Sequence, residues 1–139
     1  MNENEKRSVL IDIAARIPYG TVVNIQYIKE NGSSDRLRLC SEGDLLLNAD
    51  LLGLFIENEI SLKPYLRPLS SMTEDECKYI ADKCCIQSIP LPGGTTHSSL
   101  PLIAAEWLID FYNEKHLDFR GLIPKGLAIE VTKENNPYS

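Results

Sequence analysis

The stretch NEKRSVLIDIAARIPYGTVVNIQYIK, residues 4–29, changes its hydrophobic period near the middle, and that change decides the fold class. In its first half the apolar residues recur at steps of one, three and four, as they do on one face of a helix. Asn2 or Asn4 is placed to cap this helix, and Pro18 with Gly20 ends it in a turn. The predicted apolar face consists of Val9, Leu10, Ile13, Ala14 and Ile17.

The second half of the stretch predicts a half-buried strand, because Val23, Ile25 and Tyr27 alternate with polar residues. Residues 30–35, ENGSSD, then predict a loose hairpin turn. Residues 36–40 alternate again, which predicts a second strand.

Residues 44–62 are rich in leucine, but Asn48, Asp50 and Gly53 interrupt every helical register. We therefore predict two or three short strands in this region. The KPYLRP block that follows, residues 63–68, contains two prolines, and proline removes a donor from a β-ladder. This block is predicted to be extended chain at the edge of the sheet or leaving it.

The segment SSMTEDECKYIADKCC, residues 70–85, carries the clearest local signal in the chain. Thr73 can cap a helix while Glu76 returns the hydrogen bond, which is the pattern of a capping box. A further helix is predicted from about Ser99, with Trp107 on its broad apolar face.

The stretch HLDFRGLIPKGLAIEV, which begins at His116, predicts a turn that returns the last helix to the sheet. His116 lies at the helix C-terminus, where a cation is favoured. Gly121 and Gly126 permit turn geometry that other residues resist. Asp118 and Arg120 can bond to each other or to backbone across this turn. A last strand is predicted from the alternation of Leu127, Ile129 and Val131.

The predicted order of elements is helix, strands, helix, helix, strand, and it lacks a repeating βαβ pattern. The sequence therefore predicts an α+β fold with a small, mostly antiparallel sheet of about four to six strands and about three helices. The 139 residues fit one domain. We place it at residues 1–132, followed by a polar C-terminal tail at residues 133–139.

Composition and charge argue against several classes of protein. The chain is 43% hydrophobic and 24% charged, as ordinary globular proteins are. It has no apolar run of about 18 residues and no signal-peptide pattern, so a cytoplasmic location without a membrane partner is expected. The net charge is −6, and residues 71–115 hold seven acids against three lysines. The sequence shows no basic stripe, which argues against a nucleic-acid partner.

Cysteine and histidine residues offer the only candidates for metal binding or nucleophilic catalysis. Cys84 and Cys85 are adjacent rather than two to four residues apart, so their spacing does not match a zinc site. Cys84 or Cys85 with His97 as a base would make a small Cys/His enzyme, but no motif surrounds them. The loop LPGGTTHSS, residues 91–99, lacks the lysine of a phosphate-binding loop. We therefore predict no catalytic residue, no metal and no cofactor.

Two blocks combine cationic side chains with aromatic residues and proline, a mixture typical of protein interfaces. The predicted partner-binding surface joins the KPYLRP block to the DFRGLIPKG turn. Its members are Lys63, Tyr65, Arg67, Asp118, Arg120 and Lys125.

Three parts of the chain resemble one group of small proteins encoded by phages and integrated mobile elements of Bacteroides-like bacteria. These parts are IPYG at 17–20, LKPYLRPLSSMT at 62–73, and EWLIDFYNEKH with DFRGLIPKGLAIE within 106–130. The group shares an early PYG turn, a KPYLRP(L/M)SSMT block and a late D-(F/Y)-RGLI-x-KGLA block in this order. The group has no established activity. The resemblance therefore implies a bacterial host cell as the setting and no particular mechanism.

The leading hypothesis is a non-enzymatic accessory or assembly protein of a phage or mobile element, acting by binding a protein partner or itself. The first alternative is a small metal-dependent or Cys/His enzyme. The second alternative is a nucleic-acid accessory protein that uses local basic patches despite the acidic total.

Overall fold

Helix α1 (Glu3–Arg16) begins at a complete capping box. The Asn2 side chain accepts a hydrogen bond from the Glu5 amide at 2.8 Å, and the Glu5 carboxylate accepts one from the Asn2 amide at 3.0 Å. Both donors would otherwise lack a partner at the start of the helix. Of the two predicted caps, Asn2 and Asn4, the helix uses Asn2. The computed structural model describes residues 1–28, 33–40, 45–83 and 102–138.

Four strands form one mixed sheet in the described part of the chain, in the order β2-β1-β3-β4. Strand β1 runs antiparallel to β2 and β3, and β3 runs parallel to β4. The α+β class and the mostly antiparallel sheet are confirmed, with a strand number at the low end of the prediction. The strands are β1 (Thr21–Tyr27), β2 (Ser34–Leu39), β3 (Ile60–Leu66) and β4 (Ile129–Glu130). The remaining α-helices are α2 (Leu45–Ile56), α3 (Glu74–Lys83) and α4 (Leu102–Glu114).

The prediction of short strands in residues 44–62 is wrong for most of that region, which forms α2 and the start of β3. Leu51 and Phe55, four residues apart, are buried against the sheet and hold the helix there. Gly53 has no atom within 4 Å of the position of an added Cβ, so it lowers helix propensity without a packing conflict. Asn58, with φ of +63°, ends the helix in a left-handed turn. Packing therefore overrides the unfavourable propensities of this segment.

The prediction that KPYLRP is extended chain at the edge of the sheet or leaving it holds only in part. β3 lies between β1 and β4, but β4 pairs only with Tyr65 and Leu66, and the strand ends at Leu66. Pro64 is paired with Val23 of β1. The Ile28 amide donates to the Glu59 carbonyl, so these two residues form a hydrogen-bonded pair. Along an antiparallel ladder, hydrogen-bonded pairs alternate with non-hydrogen-bonded pairs. This alternation makes the Val23–Pro64 pair a non-hydrogen-bonded one. The missing proline donor therefore costs the β1–β3 ladder nothing.

Tyr138, near the end of the described chain, completes the join between β1 and β3 where their pairing stops. The Val22 amide donates to the Tyr138 hydroxyl oxygen at 3.1 Å, and this hydroxyl donates to the Tyr65 carbonyl at 2.8 Å. One side chain thus satisfies a donor and an acceptor from two neighbouring strands. Part of the predicted polar tail, residues 133–138, therefore contacts the sheet.

The main core lies between one face of the sheet and helices α1 and α2. Helix α1 turns a mixed face toward this core: Val9 and Ile13 are buried, and so are Asp12 and Arg16. Ala14, which the sequence placed on the apolar face, is exposed. The buried residues of the main core are Val9, Ile13, Val23, Ile25, Leu39, Leu51, Phe55, Ile60, Leu62, Leu66, Leu122, Leu127 and Ala128. A smaller cluster under α3 and α4 consists of Ile80, Phe111 and Leu117.

Candidate functional site

The structure brings the two blocks of the predicted partner-binding surface together. The Arg67 amide donates to the His116 carbonyl at 2.7 Å, and the Asp118 amide donates to the Arg67 carbonyl at 2.8 Å. Their side chains, however, serve mostly the interior. Tyr65 is only 4% exposed, and its hydroxyl accepts a hydrogen bond from Arg36 Nε at 3.1 Å. Burial leaves Tyr65 little surface to offer a partner.

Asp118 shapes the turn that follows α4. Its buried carboxylate accepts hydrogen bonds from the Leu122 amide at 2.8 Å and the Ile123 amide at 2.9 Å. Gly121 and Gly126 both have a positive φ, +73° and +71°, in the left-handed region that favours glycine. The predicted structural role of this turn is confirmed, because the Asp118 side chain bonds to backbone across it.

Arg67 forms a bidentate pair with Glu76 at the start of α3. Its two terminal nitrogens lie 2.9 and 2.7 Å from the two Glu76 oxygens. Glu76 also accepts from the Thr73 amide, and the Thr73 hydroxyl accepts from the Glu76 amide, which confirms the predicted capping box. The hydrogen bonds from Arg67 lower the pKa of Glu76 to about 2. Arg67 is thereby committed to holding α3 against β3.

Arg120 reaches into the protein and bonds to Asp12 of α1, with 2.7 Å between its Nη1 and the Asp12 Oδ1. Arg16 bonds to the same carboxylate through two nitrogens, at 2.9 and 3.0 Å. Arg16 also donates to the carbonyls of Tyr112 and Leu117. The Asp12 carboxylate is fully buried and satisfied, so it joins α1, α4 and the following turn rather than forming a reactive site.

The last two members of the predicted surface, Lys63 and Lys125, lie on different elements. Lys63 is half-buried on β3, and Lys125 is exposed in the turn after α4. They differ from Tyr65 and Asp118, whose side chains are buried.

His116 is not the cation that its position at the end of α4 predicts. Its ring stacks on Tyr138, with ring centres 3.5 Å apart. Burial, with the nearby charges of Arg16 and Arg67, lowers the pKa of His116 to about 4. Its φ of +60° places it in the left-handed position that closes the helix. Desolvation and the arginines outweigh the helix dipole.

A groove between α3 and α4 exposes large aromatic side chains. Tyr79 is 49% exposed and Trp107 is 50% exposed, although the sequence placed Trp107 on the apolar face of its helix. The Tyr79 ring stacks on Phe111 with centres 5.2 Å apart. A cavity of about 180 Å³ opens beside these rings. We call this feature the aromatic groove; its lining residues are Tyr79, Ile80, Trp107, Leu108, Asp110, Phe111 and Glu114.

The rim of the aromatic groove is acidic. Asp110 and Glu114 line the cavity. Partial burial raises the pKa of the nearby Tyr19, and these two carboxylates raise it further. A neighbouring cavity of about 350 Å³ adds Asp75 and also contains Lys115. The groove thus offers aromatic faces next to carboxylates, an arrangement that attracts cations.

The predictions for Cys84, Cys85 and His97 lie outside the described residues. Within the described residues, no group of three or more His, Cys, Asp or Glu side chains is arranged to hold a metal ion. Among the helices described, none has the length and apolar character needed to cross a membrane.

In comparisons with known proteins, no family model matches the chain, and neither a curated protein nor a solved structure shows significant similarity to it.

Proposed function

We propose that the protein is a non-enzymatic accessory component that binds a protein partner, and that the aromatic groove receives a segment of that partner. The observation that carries this proposal is the half-exposed pair Tyr79 and Trp107 beside an open cavity. Tryptophan and tyrosine dominate binding energy at protein interfaces, and exposed apolar surface of this kind marks interaction sites.

The charge of the groove defines the partner segment. Asp110 and Glu114 line the cavity. Among the described residues no lysine or arginine lines this cavity, and Lys115 lines the neighbouring one. A segment with one apolar side chain flanked by arginines or lysines fits this surface, because the apolar group fills the cavity and the cations meet carboxylates and ring faces.

The resemblance to proteins of phages and mobile elements supports the same proposal by analogy. An accessory or assembly protein of this size acts more often by binding than by catalysis. The aromatic groove takes the place of the KPYLRP surface as the main contact, since Tyr65 and Asp118 are buried.

Trp107 is the only tryptophan in the chain, so its fluorescence reports directly on the groove. We expect a short peptide with a central leucine flanked by arginines to shift the Trp107 emission and to saturate. A matched peptide with glutamates in place of the arginines should not bind. Tyr79→Ala should weaken binding at least about tenfold, which corresponds to about 1.4 kcal/mol.

Ile56→Ser is the matched control, because Ile56 is an exposed apolar residue at the end of α2, outside the groove lining. It should bind the arginine peptide as the unmodified protein does. Thermal unfolding of each variant checks that the fold is retained. Absence of saturation with every peptide, or equal weakening by Ile56→Ser, would contradict the proposal.

A further inference from the structure

The face of the sheet opposite the main core carries basic side chains beside Val22 and Tyr65, which are buried on the same face. Side chains alternate along a strand, so the burial of Val23, Leu39 and Leu62 places their neighbours on the other face. Asn24 is paired with Arg36 on one side and with Lys63 on the other. A row of Arg36, Asn24 and Lys63 therefore crosses three strands. Arg38 continues the basic character along β2. We call this surface the basic sheet face, with Asn24, Gln26, Arg36, Arg38 and Lys63 as its members.

Arg36, Arg38 and Lys63 are the three cations of the basic sheet face. Within the described residues none of them forms an ion pair with a carboxylate. Arg36 donates to two neutral oxygens, the Tyr65 hydroxyl and the Asn135 carbonyl. Its guanidinium lies 4.8 Å from the centre of the Tyr65 ring, which fixes its position. Arg36 and Arg38 are exposed. Three cations without an acidic partner among the described residues are unexpected on one face of a protein with a net charge of −6.

We infer that the basic sheet face binds the phosphate backbone of a single-stranded nucleic acid. The Cα atoms of Arg36 and Arg38 are about 7 Å apart along β2, which is comparable to the spacing of phosphates on an extended strand. A sheet surface with basic side chains suits a single strand, whose bases can stack on guanidinium planes. The amides of Asn24 and Gln26 offer a donor and an acceptor each for base edges.

This site is separate from the aromatic groove and does not depend on the proposed function. The way this surface is assembled accounts for the absence of a basic stripe in the sequence. Lys63 is far along the chain from Arg36 and Arg38, and only the register of β1 with its two neighbours brings the three together. No basic run exists in the sequence to reveal them.

The test is fluorescence anisotropy of a labelled oligothymidylate of about 20 nucleotides, titrated with the protein between about 20 and about 200 mM salt. With three phosphates neutralised, we expect the logarithm of the binding constant to fall with a slope of about −2 against the logarithm of salt concentration. The double variant Arg38→Gln/Lys63→Gln should reduce affinity at least about tenfold and flatten the slope. Arg36 is left unchanged because it also holds Tyr65.

Lys125→Gln is the matched control, since Lys125 is an exposed cation in the turn after α4, and it should bind as the unmodified protein does. If the double variant unfolds, Lys63→Glu replaces it in the binding test. An unchanged Trp107 emission shows that this single variant is folded. In a separate experiment, a polyglutamate peptide of similar length is added as a competitor for the bound oligothymidylate. No binding at low salt, binding unaffected by the variants, or equal competition by polyglutamate would overturn the inference.

Discussion

Two arginine–carboxylate pairs in this protein share a geometry but differ in their surroundings. Arg16 and Asp12 are both fully buried, whereas the side chains of Arg67 and Glu76 are 22% and 14% exposed. Both pairs are bidentate, with nitrogen–oxygen distances between 2.7 and 3.0 Å. The pair near the surface reinforces one local feature, the start of α3. The buried pair holds distant parts of the chain together.

The difference shows where the loss of one charged side chain destabilises the fold most. A partly exposed pair can replace a lost partner with water, so it contributes little to stability. A buried pair cannot, because removal of one member leaves the other charged in the interior. The Asp12 carboxylate bonds to both Arg16 and Arg120, so it compensates two cations at once.

The largest effect is expected from Asp12→Ala, which leaves Arg16 buried without an anion. We expect a loss of about 3 to 5 kcal/mol in the free energy of unfolding. Urea denaturation followed by circular dichroism measures it. The double variant Asp12→Leu/Arg16→Met should recover part of the loss, since it removes both buried charges. A loss below about 1 kcal/mol for Asp12→Ala would erase the distinction between the two pairs.

His116 sharpens the comparison through pH, because burial first, and then the charges of Arg16 and Arg67, one from each pair, lower its pKa to about 4. The unfolded chain takes up this proton near pH 6.5, before the folded protein does. The stabilising contribution of neutral His116 is therefore complete above about pH 6.5 and is lost as the pH falls toward 4. We expect a loss of about 2 kcal/mol, reduced from the full shift by solvent screening.

His116→Asn is the control for this pH dependence, since asparagine tolerates the left-handed backbone of that position but does not titrate. Urea denaturation of both proteins between pH 7 and pH 4.5 measures the difference. Parallel stability curves for the two proteins would show that His116 does not supply the pH dependence.

The smallest effect is expected from Glu76→Gln, which keeps the capping hydrogen bonds within reach and removes only the charge. At neutral pH it should cost about 1 kcal/mol, because solvent screens the pair. The pKa of Glu76 is lowered to about 2, so its contribution is present above about pH 4.5 and is lost as the pH falls toward 2. Unmodified and variant proteins should therefore converge in stability under acid, as followed by urea denaturation. A cost equal to that of Asp12→Ala would contradict the contrast.

Local signals in the sequence predict the features that depend on neighbours in the chain. The caps at Asn2 and Thr73, the strand that contains Val23, and the glycine turn at Gly121 all follow from short patterns. Helix α2 could not be predicted in this way, since packing of its buried face outweighs its interruptions.

The candidate site was harder to predict, because it depends on which apolar residues remain uncovered. Trp107 follows a helical period and yet is half exposed. Conversely, Asp12 and Arg16 look like the solvated positions of a helix and are buried, since their partners Tyr112, Leu117 and Arg120 come from about a hundred residues away. The hydrophobic period of a helix alone therefore does not tell a buried position from an exposed one.

The hydroxyl of Tyr138 has a consequence for the order of events during synthesis. Its hydrogen bond to the Val22 amide spans 116 residues of sequence. The Val22 amide at the end of the β1–β3 ladder therefore lacks this partner until Tyr138 has been synthesised and has left the ribosome. Contacts of such long range slow folding, and unpaired strand ends are open to pairing with other chains in the meantime. A nascent chain stalled before Tyr138 would expose the same backbone groups that one phenol covers in the finished protein.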